Sequence, residues 1–197
     1  MSSLVVSYER QRLIAILQRD ALKRGTFTLA SGRTSHYYVD GRKVTLSAEG
    51  AAMIGAGVLE LIANWPDVTA VGGLTLGADP IVGATLALAA GSGRGQLRGF
   101  LVRKEAKTHG TGNLVEGPLE RGSVVAIVDD VATTGGSSLQ AANAVEAIGC
   151  KVALVIVVLD RLEGAAAAFA ARGLPFFPLL TIRDLGVEPL QSTDEPQ

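Results

Sequence analysis

Between residues 68 and 180 the chain alternates short apolar runs with stretches of helical periodicity, and this rhythm restricts its fold more than any other feature. The apolar runs predict strands at residues 68–71, 100–102, 124–128, 152–159 and 176–180. Helical patterns at residues 80–90, 137–148 and 164–172 fall between them. Strands that alternate with helices in this way are typical of an α/β fold with a central, mostly parallel sheet flanked by helices.

The N-terminal part has a different pattern. Apolar spacing predicts a helix over residues 8–23 that Gly25 stops, and residues 27–44 read as short strands and turns. Ser47 is a candidate N-cap for a second helix, which runs to about residue 63. With 197 residues, we expect one domain over residues 1–190 with a small N-terminal subdomain, followed by a loose tail at 191–197.

Composition narrows the class of protein. The formal net charge is −1 and 48% of the residues are hydrophobic, so we expect a globular protein without a basic face for nucleic acid. We find neither a secretion signal nor an uninterrupted membrane span, and Cys150 is the single cysteine. These features indicate a cytoplasmic protein that does not associate with membranes, and in which Cys150 is a small buried hydrophobe.

The most informative motif follows the apolar run at 124–128. Two adjacent carboxylates, Asp129 and Asp130, precede a turn rich in hydroxyls and glycine, and a helix then begins. Backbone N–H groups of residues 133–137 and the helix N-terminus are suited to binding a phosphate. Paired carboxylates suit ribose hydroxyls, or a cation lying between phosphates and sugar. An ordinary capped turn is the alternative, but this complete pattern is rare and favours a sugar-phosphate site.

A second motif is a cationic, glycine-rich stretch over residues 103–119. It contains four potential cations within seven residues, namely Arg103, Lys104, Lys107 and His109. A flexible cationic loop near a phosphate-binding turn is suited to covering a pyrophosphate leaving group. A solvated surface loop is the alternative for such a charge run taken alone.

Residues 124–137 resemble the motif with which type I phosphoribosyltransferases bind phosphoribosyl pyrophosphate (PRPP). The resemblance implies that Asp129 and Asp130 hold the ribose hydroxyls and that the following turn holds the 5′-phosphate. The implied PRPP-binding residues of this segment are Asp129, Asp130, Val131, Ala132, Thr133, Thr134, Gly135, Gly136 and Ser137. It also implies Mg²⁺ as cofactor, bound mainly through PRPP near the two carboxylates, and a small hood subdomain built mainly from the N-terminal part.

The cationic stretch is similar to the catalytic loop of orotate phosphoribosyltransferases, a pattern that other phosphoribosyltransferases lack. This resemblance implies that Arg103, Lys104, Lys107 and His109 bind pyrophosphate. It gives Lys107 and His109, with Asp129 and Asp130, the catalytic roles. It further implies a homodimer in which the loop of one subunit completes the site of the other.

The orotate site is implied by more scattered residues. Arg161 matches an arginine that faces orotate in this family, and Thr133 is a second implied contact. The alternative for Arg161 is a structural salt bridge with Asp160. Residues 27–40 resemble the segment that helps to form the orotate pocket, where Tyr37 and Tyr38 are either core aromatics or pocket walls.

Two positions depart from the common family pattern. Many members carry a lysine where this chain has Ala30, and a Tyr-Lys pair where it has Thr75 and Leu76. The second segment matches a pyrophosphate loop, and a subset of the family shares the form found here. The loop can therefore still bind pyrophosphate through its backbone N–H groups, but without those two lysines.

These resemblances together imply an orotate phosphoribosyltransferase, which would transfer the phosphoribosyl group of PRPP to N1 of orotate in pyrimidine (UMP) biosynthesis. One alternative is a phosphoribosyltransferase for another base, which the PRPP motif does not exclude. The other is a non-catalytic regulator that keeps the motif as a PRPP sensor. The near-neutral charge and short length disfavour the regulator, since it would need a nucleic-acid-binding face or an added module.

Overall fold

A computed structural model describes residues 6–28, 34–105 and 114–190 of the chain. The α-helices are α1 (Arg10–Ile16), α2 (Arg42–Thr45), α3 (Ala48–Ile62), α4 (Ala78–Ala89), α5 (Gly136–Ala147) and α6 (Ala165–Ala171). The strands are β1 (Leu22–Thr28), β2 (Thr34–Val39), β3 (Ala70–Leu74), β4 (Arg98–Val102), β5 (Val115–Glu116), β6 (Val124–Ala132), β7 (Lys151–Asp160) and β8 (Phe176–Thr181). A π-helical turn (Leu17–Ala21) follows α1, and a 3-10 turn (Ile182–Leu185) follows β8.

Six strands form the main sheet in the order β5-β4-β3-β6-β7-β8. Five of them are parallel, and β5 pairs antiparallel with β4 at one edge. This confirms the predicted α/β fold with its mostly parallel sheet. The chain runs from β3 outward to β4 and then returns to the other side of β3 at β6, so the direction of the strand order reverses between β3 and β6.

Residues 124–128 of β6 and 152–159 of β7 are apolar without interruption because helices cover both faces of the sheet. Residues of one parity, such as Val128 and Ile156, belong to a core cluster with α1, α3 and α4. Residues of the other parity, such as Ile127 and Val157, pack in a second cluster with α5 and α6. A strand buried on both faces gains hydrophobic stabilisation from every side chain, which explains the uninterrupted apolar runs.

The N-terminal helix is shorter than the sequence pattern predicted. We expected a helix over residues 8–23, but helical structure ends at Ala21 and β1 begins at Leu22. Leu22 pairs with Val39 in a separate two-stranded sheet formed by β1 and β2. This antiparallel pairing outweighs local helix propensity at the last predicted turn. The assignment of these elements to a hood stays a prediction.

Elsewhere the predicted elements are confirmed within a few residues. The Ser47 side chain accepts a hydrogen bond from the Gly50 backbone N–H and so caps α3 as expected. Three differences occur. Helix α2 lies in the stretch predicted as short strands and turns, the short strand β5 lies in the stretch predicted as a flexible loop, and β6 extends four residues beyond the predicted end at Val128. The two strand differences depend on partners distant in sequence, β4 and β7, whose pairing a local pattern does not encode.

Two further observations bear on the predicted class. Cys150 is buried and free, and burial raises the pKa of its thiol, as befits an unreactive packing residue. Within the described residues, the helices are too short or too polar to cross a bilayer.

Candidate active site

A cleft of about 230 Å³ opens at the carboxyl ends of β3 and β6, where the strand order reverses. Pairing between these two strands ends at Gly72 and Ile127, so their ends separate beyond that point. Parallel α/β sheets bind ligands at this kind of position, because the diverging loops leave a crevice there. The fold therefore places the predicted phosphate site at the point where a ligand is expected.

Asp129 and Asp130 line this cleft from β6. The sequence pattern predicted that the strand ends at Val128 and presents both carboxylates at the surface before the turn, and this was wrong for Asp129, which lies within β6 and is only 7% exposed. The reason is that β7 continues alongside β6, with Ala132 paired to Asp160 at the end of both strands. Asp129 is therefore held within β6 at the carboxyl end of the sheet, and Asp130 is half-buried beside it.

The hydrogen bonds of the acid pair fix its geometry. Asp129 Oδ1 accepts the Asp130 backbone N–H at 2.9 Å, and Asp130 Oδ1 accepts the Val131 N–H at the same distance. The Ser138 hydroxyl donates to Asp129 Oδ2 at 3.4 Å. Burial, and secondarily the adjacent charge of Asp130, raise the pKa of Asp129 to about 7. Such a group is poised to gain or lose a proton as a ligand binds.

Two glycines allow neighbouring backbone to approach the carboxylates closely. A Cβ at Gly77, which precedes α4, would lie 2.5 Å from Asp129 Oδ1 and 2.8 Å from Asp130 Oδ1. A Cβ at Gly41 would lie 3.0 Å from Asp130 Oδ2 and 2.9 Å from a Val131 methyl group. Any larger residue at either position would push into the acid pair.

The turn predicted to bind phosphate lies directly after β6. Gly135 has φ +82°, a left-handed conformation that favours glycine, and a Cβ there would meet the Phe169 ring at 2.8 Å. No described side chain caps the N-terminus of α5, so its first N–H groups remain available for an anion. The Thr133 carbonyl accepts the Ala165 N–H at 3.1 Å, which anchors the turn to α6. Thr134, Gly136 and Ser137 are exposed, as a ligand-binding turn requires.

The described start of the cationic stretch also reaches this region. Lys104 lines the cleft, and its carbonyl accepts a hydrogen bond from the Gln140 side chain on α5 at 3.1 Å. Arg103 is half-buried and lies 3.8 Å from a Glu116 carboxylate oxygen. Lys107 and His109 lie outside the described residues, so their predicted roles stay predictions.

Arg161 follows β7 and forms a cluster with Tyr37 and Glu163. Its terminal nitrogen lies 2.8 Å from Glu163 Oε1, and its guanidinium carbon is 5.1 Å from the centre of the Tyr37 ring. The Tyr37 hydroxyl donates to the same carboxylate oxygen at 3.3 Å. The alternative salt bridge with Asp160 was wrong, because the Asp160 carboxylate accepts the Leu162 N–H instead and the ion pair is formed with Glu163.

Burial leaves this arginine with unused hydrogen-bonding capacity. Arg161 Nε is buried without a hydrogen bond to any described residue, and Nη2, the nitrogen that lies 2.8 Å from Glu163 Oε1, is buried without a hydrogen bond of good geometry. Its backbone N–H donates to the Ala132 carbonyl at 2.9 Å, so the Arg161 backbone lies beside the end of β6, next to the turn predicted to bind phosphate. An anionic or carbonyl group of a ligand would satisfy these donors.

The structure brings together the predicted residues Lys104, Asp129, Asp130 and Ser137 in one cleft. Thr133 and Arg161 lie at the adjoining strand ends. Val131 and Ala132 belong to β6, and their side chains do not line the cleft. Tyr37 is buried against Arg161, whereas Tyr38 is 39% exposed. The predicted roles in binding remain predictions for all of them.

Sequence reasoning missed four residues near the site. Gly41, Gly77 and Arg42 lie at the cleft, and Glu163 pairs with Arg161. Gly77 belongs to the segment that resembles a pyrophosphate loop, but the sequence did not predict its close approach to Asp129 and Asp130. For Arg42 and Glu163 no local signal exists, because each is an ordinary charged residue until the fold supplies its neighbours.

The donors in the cleft fit a magnesium ion that is held jointly with a phosphorylated ligand. No cluster of three or more histidine, cysteine, aspartate or glutamate ligands occurs among the described residues. Mg²⁺ commonly binds through one or two carboxylates and completes its shell with substrate phosphates and water. Asp129 and Asp130 supply such a pair of carboxylates.

Comparisons with known proteins identify relatives of the chain over most of its length. No family model matches the chain. The orotate phosphoribosyltransferase of Rhodopirellula baltica is 48% identical over 96% of this chain and all of its own length. That of Thermosynechococcus vestitus is 50% identical, over 89% of this chain and 92% of its own.

The solved structures give the same result for the fold. The crystal structure of Mycobacterium tuberculosis orotate phosphoribosyltransferase in complex with PRPP is 41% identical in sequence, with a TM-score of 0.77. It covers 90% of this chain and 99% of the other. With near-complete coverage and identities well above 40%, this chain belongs to the orotate phosphoribosyltransferase family.

Proposed function

We propose that this protein transfers the 5-phosphoribosyl group of PRPP to N1 of orotate, which yields orotidine 5′-monophosphate (OMP) and pyrophosphate. The observation that carries the proposal is the position of Asp129 and Asp130. They lie at the reversal of strand order, between the loop after β3 and the N-terminus of α5, which no described side chain caps. A phosphorylated sugar matches both features, because its hydroxyls suit the two carboxylates and its phosphate suits the N-terminus of α5.

PRPP binding follows from this arrangement. The N–H groups at the start of α5 and the hydroxyls of Thr133, Thr134 and Ser137 would hold the 5′-phosphate. The carboxylates of Asp129 and Asp130 would accept hydrogen bonds from the ribose hydroxyls. This leaves the pyrophosphate directed toward the loop after β3 and toward Lys104, which lines the same cleft.

Orotate binding is assigned to the end of β7. Arg161 would bind a carboxylate or ring carbonyl with its guanidinium, whose Nε has no hydrogen-bond partner among the described residues. The backbone hydrogen bond from Arg161 to Ala132 places it one strand away from the phosphate turn. This geometry would bring the base beside the ribose, so that N1 and C1 meet in a productive orientation.

The chemical step breaks the bond between C1 and pyrophosphate while the bond from N1 of orotate to C1 forms, and the proton of N1 leaves to solvent or to the departing pyrophosphate. The ribose ring gains positive charge as the leaving group departs, as in other glycosyl transfers. Asp129 and Asp130 place negative charge beside that ring, and cations of the 103–119 stretch would neutralise the pyrophosphate. Bound Mg²⁺ would add charge neutralisation of the diphosphate, with Asp129 and Asp130 as its protein ligands.

The proposal includes a cytoplasmic homodimer in which Lys107 and His109 of one subunit act at the site of the other. The family similarity supports the dimer. The pattern of residues 103–119 is typical of orotate phosphoribosyltransferases, and the idea that one subunit completes the site of the other comes from that pattern. In that arrangement, closure of the loop would also exclude water, which would otherwise capture the ribosyl cation.

The direct test is consumption of orotate measured by its ultraviolet absorbance, with PRPP and Mg²⁺ each present or omitted. We expect consumption only when both are present. Adenine, guanine, hypoxanthine and uracil serve as competing bases, and a preference for one of them would contradict the assignment of orotate. Binding of PRPP without consumption of any base would instead support a PRPP-sensing regulator.

A further inference from the structure

Arg42 lies in the same cleft as the acid pair, although nothing in its local sequence marks it as a site residue. It is the first residue of the short helix α2 and lines the cleft together with Lys104 and the loop of Thr75, Leu76 and Gly77. Its neighbour Gly41 packs against Asp130, which brings the start of α2 onto the end of β6. The N-terminal part of the chain thereby contributes a permanent cation to a cleft formed by the main sheet.

The charges of the cleft require such a cation. Asp129 and Asp130 are both acidic, while the substrate carries a 5′-phosphate and a diphosphate. The loop after β3 offers Thr75, Leu76 and Gly77, and therefore no positive side chain. Among the described residues that line the cleft, the cations are Arg42 and Lys104. Arg42 would supply the positive charge that this loop lacks to a diphosphate bound beside it.

A neighbouring carboxylate positions the Arg42 side chain. Its Nε donates to Asp40 Oδ1 at 3.1 Å, and the side chain is otherwise 53% exposed. A guanidinium has two further amino groups, which can bind two phosphate oxygens at once. Asp40 therefore restricts the rotamers of Arg42 while leaving donors for a ligand.

We propose that Arg42 is a binding residue for the diphosphate of PRPP and supplies, on the side of α2, the positive charge absent from the loop after β3. This deepens the proposed function and rests on it for the identity of the substrate. Arg42 would contact PRPP and the product pyrophosphate. It would not contact OMP, which has no diphosphate.

The test compares Arg42→Gln with Lys43→Gln by isothermal titration in the presence of Mg²⁺. Lys43 is the adjacent exposed cation on α2 and does not line the cleft, so its variant removes the same charge from the same helix. We expect Arg42→Gln to weaken PRPP and pyrophosphate binding by about 10- to 100-fold, the effect of losing a charge-assisted hydrogen bond. OMP binding should stay within about twofold of the parent, and Lys43→Gln should resemble the parent for all three ligands.

Unchanged pyrophosphate affinity in Arg42→Gln would overturn the proposal, as would an equal loss in Lys43→Gln, which would indicate a general field effect. An equal loss of OMP affinity would also overturn it, because the residue would then support the fold or the 5′-phosphate. Arg42→Lys, which keeps the charge, covers the case in which the glutamine variant does not fold; it should retain part of the pyrophosphate affinity. Pyrophosphate binding is measured without orotate, so it tests the role of Arg42 alone. The proposed activity is tested separately by orotate consumption in the parent protein.

Discussion

The guanidinium of Arg161 lies 2.8 Å from the carboxylate of Glu163, and both side chains are almost completely buried. The Tyr37 hydroxyl donates to the same carboxylate, and its ring lies against the arginine. Strand β2 of the N-terminal sheet is thus linked to the end of β7 through a charged cluster. The cluster restricts the orientation of the arginine that would face orotate, so we expect Glu163 to act as a positioning residue.

Glu163→Gln is expected to raise KM for orotate by about 5- to 20-fold with little change in KM for PRPP, because a neutral amide holds the arginine less firmly. Titration with OMP and with UMP, which lacks the carboxylate, checks the cause. The variant should lose affinity for OMP and keep its affinity for UMP. Glu188→Gln is the matched control, since Glu188 pairs with Arg183 at an exposed position. Equal losses for both nucleotides would show that Glu163 supports the fold instead.

Asp129 is expected to make stability depend on pH. Burial raises its pKa from 3.8 to about 7, so between about pH 4 and pH 7 the folded protein holds a proton that the unfolded chain has released. The contribution of this group to stability therefore falls as pH rises through that window and is lowest above pH 7.

Asp129→Asn removes this penalty and should raise the melting temperature more at pH 8 than at pH 5. The difference should be on the order of 1–2 kcal/mol, or about 2–8 °C for a domain of this size. Thermal melts of parent and variant at the two pH values measure it. The same variant should lose activity, since asparagine cannot place negative charge beside the ribose. Identical shifts at both pH values would mean that Asp129 is ionised throughout.

Gly77→Ala should reduce PRPP binding through a clash with the acid pair. The backbone at Gly77 has φ −61°, which alanine accepts, so the effect comes from the Cβ against both carboxylates. We expect kcat/KM for PRPP to fall by on the order of tenfold or more, the size of effect seen when a site is displaced by about 1 Å. Gly83→Ala on the same helix has open space around its Cβ and should stabilise α4 by about 0.5–1 kcal/mol at unchanged activity. Parent-like kinetics in Gly77→Ala would show that the carboxylates move aside freely.

Lys107 is expected to act in the chemical step from the neighbouring subunit. Lys107→Ala should lower kcat by on the order of 100-fold or more, with a much smaller effect on orotate binding, because it would stabilise charge that develops on the leaving group. Mixing Lys107→Ala with Asp130→Asn should restore part of the activity, since one site of each heterodimer then carries both intact residues. Absence of recovery, with subunit exchange proven by mass spectrometry, would indicate a site contained within one chain.

Local sequence was sufficient for much of the fold because the main elements satisfy local rules. The apolar runs that became β6 and β7 are buried on both faces, and Ser47 caps α3 as its position predicted. It failed where pairing with a distant segment decided the outcome. The last turn of the predicted first helix became β1 because β2 lies beside it, and the two-residue strand β5 exists only through β4.

The chain by itself determined the α/β alternation, the acid pair with its phosphate turn, and the family, since each is written in contiguous residues. The tertiary structure alone decided that Asp129 is buried, that Gly77 abuts its carboxylate, that Arg42 lines the cleft and that Glu163 pairs with Arg161. The physical reason is that burial, close approach and ion pairing depend on residues far apart in sequence. Those neighbours exist only after β3, β6 and β7 have paired and the N-terminal elements have packed onto their ends.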